Sequence, residues 1–170
     1  MIEKNIKFWF VIYTKPNSEK KVFDRLTNLN LEVFLPLINT VKIWSDRKKK
    51  VSIPLIPSVV FVKCLYSDIQ SVKLIYGVVR ILMLSGEYAK VKQVEIDSIK
   101  ILLNDFSQVT NLTKPIFMKG EKVEVISGPF KGLIAQAIDY QGEYRLLVEL
   151  ITLNRFLSVN IPISCVKTII

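Results

Sequence analysis

The stretch KGEKVEVISGPFKGLIAQA, Lys119–Ala137, carries the most specific signal in the chain. Gly120 opens a turn into a strand that alternates through Val123 and Val125. Ser127-Gly128-Pro129-Phe130-Lys131-Gly132 then makes a tight loop. Gly128 and Gly132 supply backbone angles a side chain forbids, Pro129 fixes the first corner, and Phe130 can fold back as an apolar plug. Around it KVEVIS, LIAQAID, RLLVELI, RFLSVNI and SCVKTI are short apolar runs divided by turn signals. Strands so spaced predict a small all-β barrel over residues 116–170. Within them Arg145–Leu157 also has a spacing a helix accepts, but the Gly-Pro loop and Pro162 favour strands.

Upstream, Ser107–Pro115 is polar, lacks either period and ends in proline, so 107–115 reads as a linker. Residues 1–106 read as a second unit. Phe8–Thr14 is a strand. A helix follows, capped by Asn17 or Ser18, with Glu19 in its first turn, Val22, Leu26 and Leu29 on its apolar face, and Asn30 at its end. LEVFLP is a short strand, and TVKIW and KVSIPLI form a hairpin around the basic turn Arg47, Lys48, Lys49, Lys50. SVVFVKC is apolar on both faces and reads as a central strand. A short helix capped at Ser67 carries Ile69, Val72 and Ile75 or Tyr76, then VVRILML is a strand. A last helix places Val94, Ile96, Ile99, Leu102 and Leu103 on one face. The order β-α-β-β-β-α-β-α predicts an α+β fold, with helices packed on one antiparallel sheet.

The 170 residues carry a formal net charge of +9, which points to polyanionic partners. The charge is uneven: 17 Lys/Arg against 10 Asp/Glu up to Phe106, and 7 against 5 beyond it. With no histidine, Ser-His-Asp and Cys-His catalysis are excluded, and two distant cysteines make neither a disulfide framework nor a metal cluster. Neither GxGxxG nor a phosphate-cradling loop is present, and Asp24 and Glu32 lack an evident acid–base partner. No enzyme, cofactor or metal is expected. The N-terminal run reads as a strand rather than a signal sequence, and apolar runs are too short to span a bilayer, so a cytoplasmic monomer is expected.

The Gly-Pro-Phe loop and its flanking strands resemble the KOW motif of ribosomal proteins and transcription factors. A KOW barrel behind a basic α+β domain resembles the NusG family. The N-terminal half agrees: WFVIYTKPNSEKKV is similar to the family's opening tryptophan strand and helix, and PLIPSVVFV to its PLFPGYVFV strand. VFLPL followed by IWSDRKKKV is most similar to the specialised RfaH/UpxY antiterminator paralogues. The resemblance implies a transcription elongation or antitermination factor. Its N-terminal domain would dock on the clamp helices of the largest RNA polymerase subunit, contact upstream or non-template DNA, and suppress pausing at selected operons. Its KOW domain would recruit Rho or a small-subunit ribosomal protein. A ribosome- or RNA-binding KOW protein without a polymerase role is the alternative.

Residue by residue, the resemblance gives Phe61 as the polymerase anchor, with Phe34, Leu35, Ile75, Tyr76 and Val59 beside it. Ser58 and Val59 replace the family's small-plus-tyrosine pair, so Phe8, Phe10 or Tyr13 would supply the missing aromatic. Arg47, Lys48, Lys49 and Lys50 would meet phosphates of upstream DNA, with Lys15 and Lys20 on phosphate and Lys21 and Arg25 on bases of the non-template strand. Asp68, Gln70 and Ser71 would either face the far side of the cleft or cap the helix.

Overall fold

The computed structural model describes residues 6–43, 48–112, 120–140 and 143–169, and at 42, 43, 48, 106–112, 138–140 and 143–145 the backbone alone. The chain divides into two compact units between Lys92 and Gln93.

The first unit runs β1 (Lys7–Thr14), α1 (Glu19–Asn28), β2 (Glu32–Phe34), β3 (Leu37–Ile43), β4 (Lys48–Pro54), β5 (Val59–Leu65), α2 (Ile69–Lys73), β6 (Val78–Ile81), β7 (Met83–Leu84), β8 (Glu87–Tyr88) and β9 (Lys90–Val91). Its sheet has the order β2-β5-β1-β6, with β9 also on β1. β1 and β5 run antiparallel from Lys7↔Leu65 to Tyr13↔Val59. Alternation along both strands sends Phe10, Ile12, Val60, Val62 and Cys64 to one face, where Val22 and Leu26 of α1 and Ile69 and Val72 of α2 cover them. Each such side chain taken out of water stabilises the unit by about 1.5–3 kcal/mol.

Two details of α1 differ from the sequence reading. Leu29 is 60% exposed, and half-buried Phe23 packs on the core in its place. Ser18 stands at the N-cap position without a side-chain cap bond, and Asn17 adopts φ 58. Glu19 is 6% exposed and accepts the Ser58 N–H on Oε1 at 2.8 Å, while the Ser58 carbonyl accepts the Thr14 N–H at 2.9 Å. Helix and central strand thus grip the turn that feeds β5. Ser58 sits there at φ 59, a left-handed angle that costs a residue with a Cβ about 1–2 kcal/mol.

The second unit contains α3 (Gln93–Leu102), a 3-10 segment (Leu103–Gln108), β10 (Val109–Leu112), β11 (Glu121–Val125), β12 (Ile134–Tyr140), β13 (Glu143–Leu150), β14 (Arg155–Pro162) and β15 (Val166–Thr168). The strands form one antiparallel sheet ordered β10-β14-β13-β12-β11-β15. α3 buries Ile96, Ile99 and Leu102, while Val94, expected on that face, is 54% exposed and Glu95 takes the inward position. Glu95 accepts both the N–H (3.0 Å) and the hydroxyl (2.8 Å) of Thr152, fastening α3 to the β13–β14 turn.

The boundaries also differ from expectation. α3 groups with the C-terminal unit rather than with residues 1–92. Val109–Leu112, inside the expected linker 107–115, pairs with β14 as an edge strand, and 113–115 lie outside the described residues. Arg145–Leu157, compatible with a helix by spacing, is strand, 3-10 turn and strand.

Candidate functional site

The face of the first sheet turned away from α1 and α2 is built in cross-strand rows. Trp9 stands opposite Lys63 and Lys63 opposite Glu32; Val11 opposite Phe61 and Phe61 opposite Phe34; Tyr13 between Val59 and Arg80. The Phe34 and Phe61 rings lie 5.9 Å apart. The outer rows end in cations over rings: Lys63 Nζ is 5.6 Å from the Trp9 ring and 3.4 Å from Glu32, and the Arg80 guanidinium is 4.2 Å from the Tyr13 ring. Val11 and Phe61 have no exposed surface, and Val59 is 1% exposed.

Of the expected polymerase anchors, this face joins Phe61, Phe34 and Val59. Leu35 and Ile75 pack instead with the core under α1, and Tyr76 lies at a separate cluster of cations. Of the three aromatics offered for the missing tyrosine, Phe10 belongs to that core and Phe8 packs against it. Tyr13 is directly opposite Val59, next to the vacated position. Trp9 and Val11 were missed as members, although alternation from Tyr13 would have found them.

The expected DNA-binding residues fall into two groups. Lys15 Nζ is 4.9 Å and the Arg25 guanidinium 5.2 Å from the Tyr76 ring, and Arg25 also donates to the Tyr76 carbonyl at 2.8 Å. Tyr76 is 73% exposed, so the cluster offers water a flat ring with a cation pair. Gly77 makes it possible: it adopts φ +100, and a Cβ there would strike Val22 Cγ2 at 2.8 Å. Lys21 is exposed on the same helix, whereas Lys20 donates to the Ser52 carbonyl at 2.7 Å and ties α1 to β4. In the second group Lys49 and Lys50 are exposed on β4. Arg47 lies outside the described residues, as does the side chain of Lys48. Asp68 precedes α2 without a side-chain cap bond, and it accepts the Ser67 hydroxyl at 2.8 Å; Gln70 and Ser71 are exposed.

In the second unit Gly128 and Gly132 take φ +84 and +86, and Phe130 is 2% exposed beneath their loop. The Gly132 N–H reaches the Val125 carbonyl at 2.8 Å, and Asn104 donates to the Pro129 carbonyl at 3.3 Å. A Cβ at Gly120 would run into the Ala137 carbonyl, which explains a glycine where β11 begins beside β12.

Burial pushes the Cys64 thiol from 9.0 up to about 11, with Asp68 adding and Lys7 opposing, so it is no nucleophile at neutral pH. Among the described residues no cluster of three His, Cys, Asp or Glu is placed to hold a metal, and no helix is long and apolar enough to cross a membrane.

The family model for NusG, described as transcription termination factor nusG, matches residues 7–100. The chain belongs to the NusG family. The transcription termination/antitermination protein NusG of Rickettsia felis is 24% identical over 140 residues, covering 76% of this chain and 72% of that protein. Its counterpart in Rickettsia conorii is 22% identical over 178 residues, covering 97% and 92%. The solved structure of Thermotoga maritima NusG, a study of domain interaction, superposes with a TM-score of 0.50 at 22% identity over 96% of this chain and 98% of that one. The fold is thus NusG-like, and the family is one of transcription termination and antitermination factors rather than enzymes.

Proposed function

We propose that this NusG-family chain is an elongation and antitermination factor of the specialised RfaH/UpxY type. Its first sheet docks, through the face bearing Phe61, Phe34, Val59 and Tyr13, on the clamp helices of the largest RNA polymerase subunit. The supporting observation is the run of rows just described: an apolar centre, Val11–Phe61–Phe34, flanked by ring–cation contacts. Aromatics dominate interface energetics, and cations at the rim suit an acidic border around an apolar helical ridge. Phe61 and Val11 are fully buried, so the half-buried rings of Phe34 and Tyr13 are the ones a partner touches first.

Lys15, Lys21 and Arg25, with Tyr76 as a stacking ring, contact the non-template strand; Arg47–Lys50 contact upstream phosphates. Lys20 contributes by fixing the hairpin root rather than by touching phosphate. The C-terminal sheet acts as a KOW barrel that recruits Rho or a small-subunit ribosomal protein, and the protein works in the cytoplasm at selected operons.

The test is binding of the full chain to a reconstituted elongation complex, beside Phe34→Asp and Arg25→Glu. Binding lost in Phe34→Asp alone, with Arg25→Glu losing only operon choice, supports the assignment. If the unaltered chain binds ribosomes or free RNA and never the elongation complex, the polymerase reading fails and the RNA-binding alternative replaces it.

A further inference from the structure

We infer that the β3–β4 hairpin enters the major groove of duplex DNA and sets its two faces against the two phosphate walls. This rests on the reading above that the hairpin meets nucleic acid, and adds how it does so. The ribbon is paired over seven register positions, Leu37↔Pro54 to Ile43↔Lys48, a reach of roughly 20 Å. Its root is fixed: the Leu55 N–H reaches the Pro36 carbonyl at 2.8 Å, Lys20 holds the Ser52 carbonyl, and Leu37, Ile38, Ile53 and Pro54 are half-buried. Further out, Val41 is 51% exposed, and Lys49 and Lys50 stand in solvent.

Lys49 and Lys50 are consecutive on one strand, so their side chains leave by opposite faces. No Asp or Glu occurs in β3 or β4 to offset these two charges. An anion on each side would meet both charges. A flat surface or a single strand presents one row of phosphates and would leave one face idle. A duplex groove presents two. The major groove, about 12 Å wide, admits a two-stranded ribbon, and the minor groove, about 6 Å wide, does not.

The experiment measures binding of the full chain to a fluorescent duplex, and to one of its strands alone, across a salt series. Lys49→Gln and Lys50→Gln are each expected to flatten the plot of log affinity against log salt by about 0.9, and the double variant by twice that. Lys49→Arg and Lys50→Arg, which keep the charge, are expected to restore it. Dimethyl sulfate, which attacks guanine N7 in the major groove and adenine N3 in the minor, should find N7 protected. A slope that responds to only one of the two lysines, or protection of adenine N3 instead, overturns groove entry. Binding to the single strand but not the duplex also overturns it, while leaving DNA contact intact. Binding to neither removes both readings.

Discussion

On the helix side of the N-terminal sheet, β1 and β5 offer Phe10, Ile12, Val60, Val62 and Cys64, packed on aliphatic residues of α1 and α2. On the other side the same strands offer Trp9, Val11, Tyr13, Val59, Phe61 and Lys63, with Lys63 and Arg80 laid over rings. Both sides are well buried at their centres, yet they are made for different lives. The helix side also has a cation at its margin, with Lys90 Nζ 4.2 Å from the Phe8 ring, but its centre is closed by helices of the same unit. On the other side two outer rows end in cation–ring pairs, which keep part of their strength in water. The difference between the two sides lies in what packs on them: aliphatic residues of α1 and α2 on the first, and rows that run from Trp9 and Lys63 to Tyr13 and Arg80 on the second.

The strongest way to break this comparison is a matched pair of truncations. Phe10→Ala is expected to cost about 3–5 kcal/mol in urea denaturation, because its cavity is sealed. Phe34→Ala, at a half-buried ring, is expected to cost about 1–2 kcal/mol in stability and about tenfold in affinity for an elongation complex. Equal stability losses would erase the distinction between the faces. Next comes the turn shared by both faces. Glu19→Ala leaves the Ser58 N–H without its carboxylate and is expected to cost about 2 kcal/mol by the same denaturation. Ser58→Gly removes the left-handed strain at φ 59 and is expected to raise stability by about 1 kcal/mol.

A pH dependence from Cys64 tests the helix side by itself. Its folded pKa, about 11, lies above the ordinary 9.0. Between these values the folded chain holds a proton the unfolded chain has released. The contribution is therefore complete below 9.0 and lost as pH rises through about 11. Stability that is flat over this range would mean the helix side admits water.

Much of the fold was legible because period and local chemistry agreed. β1, β5 and β11 through β15 coincide with runs of β-branched and aromatic residues, and Gly128, Pro129 and Gly132 announced their loop. What escaped was decided by partners distant in sequence. Leu29 and Val94 have the right spacing for their helices yet point to solvent, because the surface opposite them is occupied by Phe23 and Glu95. Glu19 reads as a first-turn carboxylate and Glu95 draws no local signal, and their bonds to Ser58 and Thr152 lie 39 and 57 positions away. Val109–Leu112 has no strand period of its own and becomes a strand by pairing with β14. The candidate site was half legible. Phe61 and Phe34, named from the resemblance, do lie side by side, whereas nothing local joins Tyr76 to Lys15 and Arg25.

Trp9, 3% exposed with Lys63 above its ring, also makes the second face report on itself. The chain has two tryptophans, so in a Trp44→Phe variant all indole emission comes from β1. Any change that brings water to this side of the sheet shifts that emission to the red, and one that keeps it dry leaves the colour unchanged. The protein carries its own optical gauge of whether water reaches this side of the sheet.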